Sequence, residues 1–159
     1  MKQQITVMVR RLALALLASI SLAGHAMENH TIMVMGAQVR AMPPGSANSA
    51  AYMTLMNHSE QDRQLIAVES DVAKFVELHQ HSMVDGNMQM RQVNHVSIEA
   101  NGRISLQPGG YHIMMIGLQH NLVVGESVSY TLVFANGERQ TVDAPIVLSE
   151  DIQTSSMMH

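Results

Sequence analysis

Short apolar segments separated by turn residues are the feature of this sequence that most restricts its fold. From Ser127 to Phe134, large apolar residues occupy every second position, and serine or threonine fills three of the four positions between them. This period of two predicts a half-buried antiparallel strand. Asn136-Gly137 comes next and is followed by an apolar segment over 140–147, so the two segments are predicted to form a hairpin.

The same pattern of short apolar segments and turn residues continues along the chain from Thr31 onward. Residues 71–81 fit either a helical turn or a strand, and we favour a strand from Phe75 on. Eight or nine short strands at roughly ten-residue spacing, with no convincing long helix, predict a single-domain all-β sandwich or barrel. Asn101-Gly102 is predicted to close a hairpin between 96–98 and 104–106. Further turns are expected at Pro43-Pro44-Gly45, Asp85-Gly86 and Pro108-Gly109-Gly110.

Residues 1–26 are predicted to be a cleaved export signal. Basic residues at positions 2, 10 and 11 precede an apolar run over 12–22, and Gly24-His25-Ala26 supplies a small-residue cleavage pattern. The run is shorter than the ~20 residues that span a bilayer, so a cleaved signal is favoured over the alternative, an uncleaved anchor. We therefore expect a periplasmic protein with one domain over 27–148 and a flexible tail over 149–159 that ends in Met157-Met158-His159.

Charge and cysteine content exclude several classes of function. Removal of residues 1–26 takes away three of the nine basic residues and none of the thirteen acidic ones. The remaining acidic balance argues against nucleic acid as a partner, because phosphates attract clustered Lys and Arg. The sequence has no cysteine, which excludes thiolate nucleophiles, Fe–S clusters and the thiolate-ligated site of electron-transfer cupredoxins.

The segment from Glu77 to Met115 carries the candidate metal ligands. Imidazole and thioether groups favour copper, especially Cu(I), over magnesium, calcium or manganese. His112 and Met114 would share one face of a strand, where residues i and i+2 lie about 6.5–7 Å apart. Spacing alone leaves the remaining ligands open among five candidate donors, which are His79, His81, Met83, Met88 and Met90.

One spacing in this segment resembles the signature of a known family. His79 is followed after ten residues by Met90, after a further twenty-one by His112, and after one more by Met114. Pro108-Gly109-Gly110-Tyr111 stands directly before His112. This pattern is similar to that of the PCuAC family of periplasmic copper(I) chaperones, and the resemblance extends over about 31–147.

The resemblance implies a cupredoxin-like, Greek-key β-sandwich that binds one Cu(I) through His79, Met90, His112 and Met114. It also implies delivery of the copper to an acceptor, such as the CuA site of cytochrome c oxidase subunit II or a thioredoxin-like Sco protein. Stable membrane insertion is not expected, because no stretch after residue 26 is long and apolar enough to cross a membrane. Glu77 either orients His79 by accepting a hydrogen bond from its second ring nitrogen or points into water, and the sequence leaves both open.

Two alternatives to a dedicated chaperone are compatible with the sequence. A periplasmic copper buffer or resistance protein would use the same site without a dedicated acceptor, whereas a β-sandwich interaction module would bind no metal. An enzyme is not expected, because the sequence has neither a Gly-x-Ser-x-Gly nor an HExxH motif. Of the other methionines and histidines, Met33, Met35, Met53 and Met56 are expected to fill the core, and His58, His95 and His120 to lie at the surface.

Overall fold

The computed structural model describes residues 30–84 and 86–152, where the chain forms ten β-strands and one short 3-10 helix. The predicted export signal and the tail beyond residue 152 lie outside the described residues. Within the described ranges, no helix is long and apolar enough to cross a membrane. The elements are β1 (Ile32–Arg40), β2 (Asn48–Asn57), β3 (Arg63–Glu69), β4 (Ala73–Val84), β5 (Asn87–Gln92), β6 (Val96–Ile98), β7 (Arg103–Leu106), β8 (Tyr111–Leu118), β9 (Ser127–Phe134), β10 (Arg139–Val147) and the 3-10 helix Ser149–Asp151.

These strands form the two layers of a β-sandwich. They follow one hydrogen-bonded order, β5-β4-β8-β7-β2-β1-β10-β9-β3-β6, and β8 also pairs with β2. We call the strands from β5 to β1 in this order the front sheet and those from β10 to β6 the rear sheet. Parallel pairing of Val39 in β1 with Ile146 in β10 joins the two sheets. The all-β sandwich expected from the sequence is therefore confirmed.

One hydrophobic core fills the space between the sheets. Leu55, Ile113 and Met115 of the front sheet and Leu132 of the rear sheet are fully buried in it. Each such side chain stabilises the fold by about 1.5–3 kcal/mol relative to an exposed one. Because the sequence has no cysteine, core packing and hydrogen bonding hold this domain together without disulfides.

Two of the strand predictions are confirmed by the pairing. β9 buries every second residue from Val128 to Phe134, and it pairs antiparallel with β10 across the predicted turn at Asn136-Gly137. The ambiguous segment over 71–81 is a strand from Ala73 onward. β4 pairs antiparallel with β5 on one side and with β8 on the other, which places it inside the front sheet.

The hairpin predicted at Asn101-Gly102 is wrong. β6 pairs with β3 in the rear sheet, whereas β7 pairs with β2 in the front sheet, so this turn carries the chain from one sheet to the other. Asn101 does adopt a positive φ of 52°, as its turn chemistry suggests. The buried side chain of Asn57 binds β6 by donating to the carbonyl of Ile98 at 3.3 Å. Turn chemistry set the local bend, while burial and long-range hydrogen bonds chose the partner strands.

The expectation that four methionines fill the core is also wrong for three of them. Met53 is buried in the core, but Met56 is only half-buried and shares the outer face with Met33, its partner on β1. Met33 is 48% exposed and Met35 is 38% exposed. Both lie on β1 ahead of a bulge, where one extra residue between Met35 and Gln38 shifts the pairing with β2. Before the bulge, the register directs Met33 and Met35 outward and places Ile32 in the core.

Candidate metal-binding site

The predicted ligands lie on the outer face of the front sheet, on β4, β5 and β8. Residues that pair directly in an antiparallel ladder point to the same face. His79 pairs with His112 across β4 and β8, and His81 pairs with Met90 across β4 and β5. Since alternate residues along a strand share a face, Met114 joins His112, and all four predicted ligands face the same side.

His79 is the centre of this arrangement. Its ring centroid lies 5.9 Å from that of His112, its direct partner on β8. Met114 and Met90 are its diagonal neighbours, because the residues directly opposite are His112 on β8 and Gln92 on β5. Diagonal neighbours in a sheet are about 7–8 Å apart, within reach of long side chains. The pairing thus brings the four predicted ligands together around one histidine.

The orientation of His112 is fixed by the turn that precedes it. Its Nδ1 lies 3.1 Å from the carbonyl oxygen of Gly110, and because a carbonyl only accepts, Nδ1 carries the proton. Nε2 therefore holds the lone pair, and it is buried without a hydrogen-bond partner among the described residues. The residue as a whole is only 3% exposed. His112 thus presents an unprotonated nitrogen with a free lone pair, which is the form of imidazole that binds metal ions.

His79 presents its other ring nitrogen. Its Nε2 lies 2.8 Å from a carboxylate oxygen of Glu77, so Nε2 donates and the lone pair falls on Nδ1. That Nδ1 atom is buried and has no hydrogen-bond partner in the described part of the chain. A carboxylate bonded to the far nitrogen of a histidine fixes its tautomer and raises its basicity as a ligand. Of the two possibilities that the sequence left open for Glu77, the structure shows the hydrogen bond.

The electrostatic surroundings keep His112 neutral. Burial lowers its pKa below the ordinary value of 6.5, and the nearby His81 and His79 lower it further, while the bond to Gly110 opposes the shift. The ring of Tyr52 lies 6.5 Å from that of His112 on the side of β2, and burial raises the pKa of this phenol. In the neutral ring Nε2 carries no proton that a metal ion would have to displace.

His81 is a further histidine of this face that the spacing did not select. Its ring stacks on that of His112, with centroids 5.0 Å apart and planes 28° apart. Its Nδ1 is buried without a hydrogen-bond partner among the described residues. The period of two along β4 was enough to place His81 beside His79, but only the pairing with β8 shows its contact with His112.

The face is open to solvent on the side of β5. Met90 is 46% exposed, Met114 is half-buried, and every residue of β5 is exposed. Within the described residues, no group of three or more His, Asp or Glu side chains is close enough to hold a metal ion. The donor set is a mixed one of imidazoles and thioethers.

A cavity of about 310 Å³, lined by Ser70 and Tyr130, lies on the β3 and β9 side of the rear sheet. None of the candidate metal donors lines this cavity.

Fold and donors together define a class: a β-sandwich whose front sheet carries imidazole and thioether groups on one open face. The chain belongs to the LpqE-like family, whose model, described as "Putative lipoprotein LpqE-like", matches residues 32–146. It is 30% identical to protein Lxx21020 of Leifsonia xyli subsp. xyli over 116 residues. These residues are 72% of this chain and 69% of the relative. Protein RP573 of Rickettsia prowazekii is 29% identical over 101 residues, which is 63% of this chain and 56% of that one.

Solved PCuAC domains share the fold. Apo-DR1885 from Deinococcus radiodurans is 34% identical, with a TM-score of 0.60 over 77% of this chain and 83% of that one. Its Cu(I) form is 32% identical, with a TM-score of 0.59 over 83% and 87%. The copper-bound PCuAC domain from PmoF2, at 23% identity, has a TM-score of 0.64 over 75% and 94%. The resemblance to the PCuAC family and the cupredoxin-like β-sandwich expected from it are confirmed.

Proposed function

We propose that this chain binds one Cu(I) ion through His79, Met90, His112 and Met114 and carries it to an acceptor protein. The observation that carries the proposal is the pair of opposed histidines, each with a buried ring nitrogen that lacks a hydrogen-bond partner among the described residues. A buried polar atom without a partner is costly, and a bound metal ion would satisfy both nitrogens at once. The copper-binding domain would extend over 27–148, with 149–159 as a tail.

The chemistry of the four donors supports Cu(I) as the cargo. Thioethers are soft ligands that prefer Cu(I) to harder cations, and neutral imidazole suits copper in general. The solved relative DR1885 is known in a Cu(I) form, and it is 32% identical to this chain. All four donors are neutral, so the bound ion keeps its positive charge. The carboxylate of Glu77, hydrogen-bonded to His79, supplies a negative charge beside the site.

Transfer of the ion would proceed by ligand exchange. Met90, the most exposed of the four donors, lies on an exposed strand at the sheet edge. An acceptor with thiolate ligands can approach from this side and replace the thioethers one at a time. Copper remains Cu(I) throughout, so no electron or co-reactant is needed. We infer a role in transport rather than catalysis, outside the cytoplasm, with residues 1–26 as the export signal.

The resemblance suggests the acceptor. The CuA site of cytochrome c oxidase subunit II, or a Sco-like protein that serves it, offers thiolates that would outcompete neutral thioethers for Cu(I). A copper buffer without a dedicated acceptor would use the same four donors and would differ only in retaining the ion. The two functions are therefore separated by a transfer experiment and not by a binding experiment.

Competition with a chromogenic Cu(I) chelator under anaerobic conditions tests the binding. Residues 27–159, which include every described element, are compared with His112→Ala/Met114→Ala. A matched control, His58→Ala/Met33→Ala, removes one exposed histidine and one exposed methionine from outside the site. We expect one tight equivalent in the parent and the control, and none in the site variant. A parent that takes no Cu(I) from the chelator would overturn the proposal.

A second arm then mixes the loaded protein with a copper-free CuA domain, separates the two, and measures copper in each. Movement of most of the copper to the CuA domain supports a chaperone. Retention of the copper by this chain would identify a buffer.

A further inference from the structure

We propose that the tip of the β4–β5 hairpin holds a second, weaker Cu(I) site formed by Met83, Met88 and His81. The inference rests on the proposed function of the four-ligand site, which we call the inner site. The second site, which we call the outer site, would bind the ion before it reaches the inner site and after it leaves. The inference concerns residues that neither the spacing signature nor the inner site uses.

The register of the hairpin places these donors together. Met83 pairs directly with Met88, and the next residues on the same face are His81 and its partner Met90. Directly paired side chains have Cβ atoms about 4.5–5.5 Å apart. Two thioethers and one imidazole thus stand on consecutive steps of one face. Three soft or borderline donors are a suitable set for Cu(I).

Exposure and hydrogen bonding single these side chains out. Met83 and Met88 are each 64% exposed, more than any other large hydrophobic side chain of the described residues. Core packing therefore does not account for the two thioethers. His81 contributes the independent observation, because its buried Nδ1 has no hydrogen-bond partner in the described part of the chain. An ion at this place would satisfy that nitrogen and occupy the two exposed sulfurs.

Met90 connects the two sites. It pairs directly with His81 of the outer site and is the diagonal neighbour of His79 in the inner site. A Cu(I) ion can therefore pass between the sites by exchanging one ligand at a time, with its oxidation state unchanged. Because the outer site is the more exposed, other molecules would deliver the ion there and take it up from there.

The test uses residues 27–159 with carbon-13 in the methionine methyl groups, titrated with Cu(I) under argon and followed by NMR. Methyl resonances are assigned by single Met→Leu variants. We expect the first equivalent to shift the methyl groups of Met90 and Met114, and a second, weaker equivalent to shift those of Met83 and Met88. Met33 and Met35, exposed on β1, serve as internal controls and should not move.

The matched variants are Met83→Leu/Met88→Leu and the control Met33→Leu/Met35→Leu. Leucine keeps similar volume and hydrophobicity but has no sulfur. Competition with a weak Cu(I) chelator should show loss of the second equivalent in the first variant, with the first equivalent intact, and no loss in the control.

Three results would overturn the outer site: a parent that binds only one equivalent, a second equivalent that shifts methyl groups outside the hairpin, or a second equivalent that survives Met83→Leu/Met88→Leu. Each leaves a tight first equivalent and so leaves the proposed function standing. Failure of the proposed function looks different, because the parent then binds no tight equivalent at all.

Discussion

His79 and His112 lie directly opposite each other on antiparallel strands, with ring centroids 5.9 Å apart. Three strands, β5, β6 and β7, intervene between them along the chain. The pair is therefore a product of the tertiary fold, since the chain leaves the front sheet at β6 and returns to it before His112 is placed. Which ring nitrogen of each histidine is left to bind a metal ion is then decided by the histidine's own hydrogen bond, to Glu77 in one case and to Gly110 in the other.

Replacement of Glu77 by glutamine should weaken Cu(I) binding without unfolding the protein. The neutral amide accepts a weaker hydrogen bond from Nε2 of His79 and no longer raises the basicity of Nδ1. Loss of such a partner typically costs about 10–100-fold in metal affinity. Chelator competition measures this, with Glu126→Gln as a control at an exposed carboxylate outside the three strands that carry the donors. Equal affinity in Glu77→Gln and the parent would show that the carboxylate plays no part in binding.

Adjacent methionines on β8 should separate stability from copper binding. Met115 is fully buried in the core, whereas Met114 faces outward beside His112. Met115→Ala should lower the free energy of unfolding by about 2–5 kcal/mol and keep the Cu(I) affinity. Met114→Ala should do the reverse, with a loss of affinity and little change in stability. Urea denaturation and chelator competition on both variants check this, and the same change in both measurements for both variants would contradict the assigned faces.

The turn before His112 should be sensitive at one glycine and tolerant at the next. Gly109 has a φ of +81°, where a Cβ strains the backbone although nothing lies within 4 Å of it. Gly109→Ala should therefore destabilise the protein by about 1 kcal/mol. At Gly110 the added Cβ would make ordinary contacts at 3.6 Å with Gln107, so Gly110→Ala should be nearly neutral. Urea midpoints compare the two, and a larger loss at Gly110 would refute the strain argument.

The apo protein should lose stability as the pH falls below about 6.5. Burial lowers the pKa of His112 in the folded state, so the unfolded chain, with a pKa near 6.5, takes up the proton first. This favours unfolding from about pH 6.5 down to the folded-state pKa, and it has no effect above that window. NMR titration of the His112 ring should give a midpoint below 6.5. Urea denaturation at several pH values should show a smaller acid loss in His112→Gln than in the parent.

The part of the site that follows from strand geometry was predictable from the sequence. Alternation puts His112 and Met114 on one face, and the same rule puts His79 and His81 on one face. The turn residues Asp85-Gly86 and the strand predicted after them also indicate a hairpin, and β4 does pair with β5. These are local properties of the chain, set by the side-chain period and the turn residues.

The pairing of β4 with β8 was not predictable in the same way. Which strands meet depends on how both sheets bury their apolar faces together, and local patterns carry little of that information. The turn at Asn101-Gly102 shows the limit, because it has the residues of a hairpin and yet joins strands of different sheets. The tautomer of each histidine is even harder to predict from the sequence. Nδ1 of His79, for example, is free to bind a metal ion only because Nε2 donates its proton to Glu77 in a hydrogen bond.

The carbonyl of Gly110 accepts two hydrogen bonds, from Nδ1 of His112 and from the backbone N–H of His81, each at 3.1 Å. A peptide oxygen has two lone pairs, and both are committed here. One bond decides which nitrogen of His112 can bind an ion, and the other anchors the neighbouring strand at the position of His81. Strand alignment and donor orientation thus share a single atom, which belongs to a residue with no side chain of its own. The orientation of His112 as a ligand is to that extent set by the backbone of the turn and not by another side chain.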